Sequence, residues 1–250
     1  MAGRIHKLIR MSAAPDVRGT GIWPKRLQTF TEEEQRVRDA FMARWLEYLP
    51  QRGGFVERFN HGYPLRAAAA GQRTLEIGAG LGAHLRYEDL EHQDYYAVEL
   101  LDALAKGLSA RFPDVTTLVA DGQQRLPFED GFFDRVLAIH VLEHLPNLPG
   151  ALDEVRRLLA PDGRFVAVIP CEGGFGYSLA RRFTSKRLFE REFGRDYDWF
   201  IRSEHINLPW EIEGELEKRF EVVETRYFPL RIPSVGLNLI IGLTMRPRRA

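Results

Sequence analysis

Three glycines in alternate positions, Gly78, Gly80 and Gly82, follow directly on the apolar run Leu75, Glu76, Ile77. Glycine at such a point lets a chain leaving a strand turn sharply and lets its amides approach a ligand with no Cβ in the way. A helix N-terminus is expected just beyond. Some way on, about 20 residues from the glycines, Glu99 closes a second apolar run, where a carboxylate accepts hydrogen bonds from both hydroxyls of a ribose. Asp121 and Gly122 close a third run and offer an acceptor to an adenine amino group. Taken singly, each acid is equally a solvated strand end; together, at successive strand ends, they make one nucleoside site. A second group has acid–base character: His140 and His144 flank Val141, Leu142 and Glu143, and His205 lies in the polar stretch Arg202 to Asn207. Imidazole titrates near neutrality and suits a general base, although a histidine satisfied by backbone is the plain alternative.

These residues need strand ends to hold them. From residue 73 onward, short apolar runs alternate with helical patterns, the signature of βαβ units on a parallel sheet. Strands are expected at Thr74 to Ile77, Tyr95 to Val98, Thr117 to Ala120, Arg135 to Ile139, Gly163 to Ile169, Phe220 to Phe228 and Leu237 to Met245. Trp210 to Arg219, acidic at its start and basic at its end, is the helix before the last two. Upstream, Thr31 caps a helix with Val37, Phe41, Trp45 and Leu49 on one face, ended by Pro50. Residues 1–72 are read as an N-terminal extension whose helices cap the cofactor site. Residues 73–250 are the main domain, with 171–209 as an insertion or lid on the substrate side.

With these blocks in view, the sequence resembles the class I S-adenosylmethionine-dependent methyltransferases of the type 11 group. The resemblance rests on Leu75 to Gly82, Tyr96 to Glu99, Ala120 to Phe128 and, most diagnostic, FDRVLAIHVLEHLPNLPGALDEVRRLLAPDGRFVAVIP at Phe133 to Pro170. It implies a Rossmann-like α/β fold: a seven-stranded, mostly parallel sheet with helices on both faces, an N-terminal helix and an insertion after strand five. It further implies S-adenosyl-L-methionine as cofactor, held by Glu76, Gly78, Ala79, Gly80, Gly82, Glu99, Leu100, Asp121 and Gly122, with His140 giving a backbone contact near the methyl group. His144, His140 and His205 are the candidate bases. Glu143 and His144 recur in the group, so that pair marks the fold as readily as the reaction. The acceptor is expected to be a small molecule methylated on oxygen, with a cofactor-binding partner subunit that does no chemistry as the alternative.

The remaining features mostly exclude. In 250 residues, Lys plus Arg equals Asp plus Glu, so the broad positive field of a nucleic-acid binder is missing. No run is long and apolar enough for a membrane span, and no Cys or His spacing reads as a zinc site, so no metal is expected. A lone cysteine, Cys171, fits a reducing cytoplasm; oligomerisation is left at monomer or homodimer. As a nucleophile Cys171 lacks the companion motif after strand four. Glycines at 78, 80 and 82 miss the third position of the dinucleotide fingerprint, which argues against a nicotinamide oxidoreductase. The insertion gathers Arg181, Arg182, Lys186, Arg187, Arg191 and Arg195, a pattern that would grip an anionic, glycan- or lipid-linked acceptor or simply face solvent. Its aromatic residues, from Phe175 to Phe200, are too many for pure surface and are read as a lid core or an apolar acceptor pocket.

Overall fold

The computed structural model of the chain describes residues 18–48 and 54–248, with only the backbone described at 43–48. Leu49 and Pro50, the expected end of the first helix, lie outside the described residues, as do residues 1–17. The strands are β1 (Arg73–Ile77), β2 (Asp94–Glu99), β3 (Thr116–Val119), β4 (Phe133–Ile139), β5 (Leu159–Pro170), β6 (Phe220–Phe228) and β7 (Ile240–Pro247). They form one sheet in the order β3-β2-β1-β4-β5-β7-β6. The first five are mutually parallel, while β7 runs antiparallel to both β5 and β6. This is the expected seven-stranded, mostly parallel arrangement.

Helices cover both faces because the central strands are apolar on both sides. On one face, α4 (Leu148–Leu158) and α8 (Pro209–Arg219) bury Leu152, Val155, Ile212 and Leu216 against Leu75, Val136 and Phe165. On the other, α3 (Asp102–Arg111) brings Leu108 to Ala97, Leu137 and Val166, and Tyr63 closes the same layer. Tyr63 follows α2 (Phe55–Gly62) and lies against Gly242 of β7, where a Cβ would stand 2.6 Å from its ring. The first helix, α1 (Glu32–Tyr48), starts as expected: Thr31 Oγ1 accepts from Glu34 N, and Glu34 Oε2 accepts from Thr31 N at 2.8 Å.

Three boundaries differ from expectation for local reasons. β5 begins earlier, at Leu159, because the register with β4 slips between Phe133 and Arg135 and absorbs the Pro161 turn as an irregularity. β7 begins later, because Val235–Leu237 forms a single 3-10 turn. Asn238 then clamps the turn, accepting from Leu230 N and donating to the carbonyls of Ile232 and Ser234. The third concerns the glycine turn. No α-helix begins after Gly82; His84–Arg86 is a short 3-10 turn. Buried Arg135 organises that segment, donating to Glu88 Oε2 at 2.7 Å and Gln93 Oε1 at 3.1 Å, while His84 Nε2 bonds Glu88 Oε1 at 2.7 Å. The ion pair, invisible as a motif, takes the place of the expected helix N-terminus.

The insertion is helical: α5 (Phe175–Phe183), α6 (Ser185–Phe193) and α7 (Tyr197–Glu204). Phe41 of α1 packs its ring edge-on against Phe189 and Phe200, with centroids 5.0 and 4.9 Å apart. The N-terminal helix is thereby part of the insertion's own small core, with Tyr197 and Ile201.

Candidate functional site

The chain lays down β1, β2 and β3 toward one edge and then returns to β4 on the other side of β1, which makes the carboxyl ends of β1 and β4 a topological switch point. There Gly78, Gly80 and Gly82 all have positive φ, 72°, 56° and 74°. Their surroundings differ. A Cβ on Gly78 would lie 2.5 Å from Val141 Cγ2, and one on Gly82 would lie 2.7 Å from Phe112 Cε2; one on Gly80 would meet nothing within 4 Å. Gly78 and Gly82 are small so that neighbours can close in, whereas Gly80 turns a bare backbone to open space. Ala79 is buried.

Beside this turn, Glu99 is buried at the end of β2, and each of its oxygens accepts one backbone N–H: Oε2 from Gly80 at 2.9 Å and Oε1 from Leu101 at 3.0 Å. A carboxylate has about four lone-pair sites, so both oxygens retain capacity for two hydroxyls. Leu100 next to it is 60 % exposed, an apolar side chain at the rim. Asp121 follows β3, and its Oδ1 accepts from the amide and the side chain of Gln123 at 2.9 and 3.0 Å. Gly122 is glycine for packing, since a Cβ there would stand 2.7 Å from Ile77 Cγ2. Glu76, on the same sheet face as Tyr95 and Glu99, has its Oε2 accept from Tyr95 OH at 2.9 Å, and burial raises its carboxyl above the usual range.

His140 leaves β4 at φ 53°, in the left-handed region that non-glycine residues rarely adopt. Its N–H donates to Val168 O at 2.9 Å, so the backbone contact expected of it falls to its carbonyl. Its Nδ1 lies 3.3 Å from Glu143 Oε1. His144 Nδ1 is 2.9 Å from Glu204 O, an acceptor only, so Nδ1 carries the proton and Nε2 keeps the lone pair. That Nε2 is 3.9 Å from Glu143 Oε1. Partial burial, together with the neighbouring His205, holds the His144 imidazole below its ordinary value. Burial works against charge on Glu143, but the His140 hydrogen bond and the nearby His144 outweigh it and hold the carboxyl at about 2.

His205 comes from the far end of the insertion, and its ring meets that of His144 edge-on, with centroids 5.0 Å apart. Asn207 seats this end, its Nδ2 donating to Leu142 O at 2.7 Å and Leu145 O at 2.8 Å. Lys25 of the N-terminal segment adds a tie, with its amide on Pro146 O and its Nζ on Ile206 O. His205 Nδ1 is 3.1 Å from Glu172 Oε2, and Arg181 grips the same carboxylate bidentately at 2.6 and 3.0 Å.

The structure thus brings all three candidate histidines to one side of the switch point. Glu143 as their hub, and Glu172 with Arg181 behind His205, were not legible: Glu-His adjacency hinted at the first, and nothing in the sequence links positions so far apart. The basic residues of the insertion do not act as a block. Arg181 is committed to Glu172, Lys186 to Asp198 at 2.8 Å and Arg195 to Glu33 at 2.6 Å, while Arg182, Arg187 and Arg191 are exposed. Cys171 is fully buried, and its thiol is pushed up to about 12 by burial and then by the charge of Glu213, which removes it as a nucleophile. Among the described residues no helix is long and apolar enough to cross a membrane.

A family model described as "Methyltransferase domain" matches residues 75–167, the stretch from the glycine turn through β5. The probable phthiotriol/phenolphthiotriol dimycocerosates methyltransferase 2 of Mycobacterium ulcerans is 33% identical over 194 residues, 75% of this chain and 70% of that one. A demethylmenaquinone methyltransferase of Tropheryma whipplei is 31% identical over 119 residues, a match spanning 46% of each chain, about half the length of that relative. A solved structure, the TehB-like SAM-dependent methyltransferase of Corynebacterium glutamicum, shares the fold with a TM-score of 0.56 at 17% identity, covering 86% of this chain and 100% of that one. Sequence blocks, strand order and these likenesses agree: the chain belongs to the class I S-adenosylmethionine-dependent methyltransferases.

Proposed function

We propose that this chain transfers a methyl group from S-adenosylmethionine to an oxygen of a small hydroxyl-bearing acceptor. The observation that carries the reading is the meeting, at one switch point, of an open-backed glycine, an acid with spare lone pairs and a cluster of imidazoles. The donor fits the residues present. Gly80 leaves room where any side chain would intrude, and Glu99, already fixed by two amides, offers two acceptor positions to a ribose. Asp121 would take the adenine amino group on Oδ2, its Oδ1 being engaged by Gln123. When bound, the donor supplies a sulfonium methyl, an electrophile with a good leaving group.

This chain's residues would do the rest by alignment and proton handling. His144, with its lone pair fixed at Nε2 by Glu204 O, is oriented to take a proton from an acceptor hydroxyl. His205, set by Glu172, and His140, set by Glu143, flank it. α5 presents Phe175 and Phe183, 72 % and 70 % exposed, with Leu179 between them, an apolar row on the insertion's own surface. That row supports an acceptor with an apolar part, in keeping with relatives named for demethylmenaquinone and for phthiotriol dimycocerosates. With half of the basic residues paired internally, the anionic acceptor weighed from sequence has less support.

The test is labelled-methyl transfer from the donor to a panel of apolar alcohols, phenols and catechols, with mass spectrometry locating the new methyl group. O-methyl product dependent on His144 supports the reading. Calorimetric donor binding with no transfer to any hydroxyl acceptor would replace it with a silent binding subunit.

A further inference from the structure

The arrangement of Glu143, His144 and His205 exceeds what a general base needs. One ligand-type atom from each of the three lies within 4.8 Å of the others. Glu143 is fully buried, and its Oε2 has no hydrogen-bond partner among the described residues. A buried carboxylate oxygen left bare is costly, which is why such atoms point to a group that satisfies them. Both imidazoles are also turned the same way. His144 commits Nδ1 to Glu204 O and His205 commits Nδ1 to Glu172 Oε2, so each presents Nε2 as its second ring nitrogen. A histidine whose far nitrogen donates to a carbonyl or carboxylate is the second-shell arrangement of metal-ligating imidazoles.

We infer that Glu143, His144 and His205 form a binding site for a divalent transition-metal cation, a group of two imidazoles and one carboxylate with the remaining coordination positions open. Bonds of about 2.0–2.2 Å hold neighbouring ligand atoms about 3.0–3.6 Å apart, so the site closes on an ion with a contraction of about 1–2 Å at its widest pair. Two nitrogens and one oxygen select Mn²⁺, Fe²⁺, Co²⁺ or Zn²⁺ over Mg²⁺ and Ca²⁺, which take oxygen ligands. The linear spacing concealed this site because His205 is supplied by the insertion, seated by Asn207 against the β4–α4 loop. An open position on the ion would take the acceptor's hydroxyl oxygen and ease loss of its proton to water; that role rests on the methyl-transfer reading, whereas ion binding does not.

The experiment is Co²⁺ titration of the full chain after treatment with a chelator, read by visible absorption and by elemental analysis after desalting. One Co²⁺ per chain with the intense absorption of a low-coordinate nitrogen–oxygen site is expected. Glu143→Gln and His205→Ala should each weaken binding by about tenfold or more, and Glu172→Gln, which keeps all three ligands but frees His205, by about 10–100-fold. His92→Ala, at an exposed histidine paired with Asp89, should leave it unchanged. Circular dichroism checks each variant's fold, and Glu172→Gln keeps the inference testable where a ligand variant does not fold. Absence of stoichiometric Co²⁺ in the unaltered chain, or binding indifferent to all three site variants, overturns it. Donor binding measured by calorimetry alongside the titration separates the outcomes: donor bound by a chain that takes up no stoichiometric Co²⁺ sinks the metal site alone, and ion bound without transfer to any hydroxyl acceptor sinks the transfer reading alone.

Discussion

Replacing Glu99 by alanine isolates what the cofactor half of the site contributes. This carboxylate spans the mouth between β1 and β2, taking Gly80 N at 2.9 Å and Leu101 N at 3.0 Å. Two lone pairs remain for the ribose of the donor, and each hydrogen bond to a charged acceptor contributes about 1.5–3 kcal/mol. Loss of both removes about 3–6 kcal/mol, a rise in donor Kd of roughly 100- to 20,000-fold. The two amides released sit at a half-open rim, where water can replace the carboxylate, so the thermal midpoint should fall by only a few degrees. Isothermal titration calorimetry of S-adenosylmethionine against both proteins, with circular dichroism melts alongside, gives the two numbers. A donor Kd within about threefold of the unaltered chain, in a protein that still melts cooperatively, would refute the assignment of the ribose to Glu99, because no arrangement of two charged hydrogen bonds is worth so little.

Asp121→Ala should weaken the donor by about 10- to 100-fold, one charged hydrogen bond's worth, and unchanged calorimetric affinity would remove the adenine from β3. Gly78→Ala and Gly80→Ala share a left-handed strain of about 1–2 kcal/mol, but only Gly78→Ala drives a methyl into Val141, adding about 1–3 kcal/mol of overpacking. Melting should therefore rank Gly78→Ala as the less stable, and donor titration should show Gly80→Ala losing affinity beyond what its small destabilisation explains. Glu88 is held at about 2 by His84 and Arg135 despite its burial, so the folded chain binds fewer protons there than the unfolded chain. Its contribution to stability is present above the ordinary carboxylate value of 4.5 and is lost as pH falls toward 2. Glu88→Gln should cost about 3–5 kcal/mol at neutral pH in urea unfolding, by stranding buried Arg135, and should flatten that part of the acid profile. Cys171 should resist maleimide in the native protein and react on unfolding; rapid native labelling would contradict its burial.

The sheet was legible because its information is local. Short apolar runs alternating with helical patterns announce strands and their ends, and β1, β2, β3, β4 and β6 fall within two residues of their expected bounds. What was not legible depends on pairs distant in sequence. The helix expected after Gly82 is missing because Arg135, from a strand laid down much later, captures Glu88 and Gln93 and fixes the intervening segment in short turns. The basic insertion left an anion site and a solvated face both open because charges were counted without their partners; Glu172, Asp198 and Glu33 neutralise three of them. The same blindness hid Glu143. A glutamate beside a histidine in a recurring motif carries no sign that a second histidine will be delivered to it by an insertion.

The tautomer of His144 ties the two readings of this cluster together. With Nδ1–H donated to Glu204 O, the ring has a single lone pair, at Nε2, and it can take a proton or bind an ion, but not both at once. If His144 is the base, replacing it with glutamine, which cannot accept a proton near neutrality, should abolish the dependence of transfer rate on that titration whether or not chelator is present. If Nε2 is committed to a metal, the acid that titrates is the acceptor hydroxyl on the ion. The pH profile should then shift with the metal supplied, following each ion's power to acidify a bound oxygen, and not with the histidine's own environment. A profile that moves between Mn²⁺ and Zn²⁺ assigns the lone pair to the ion, and one identical in both and in chelator assigns it to the proton.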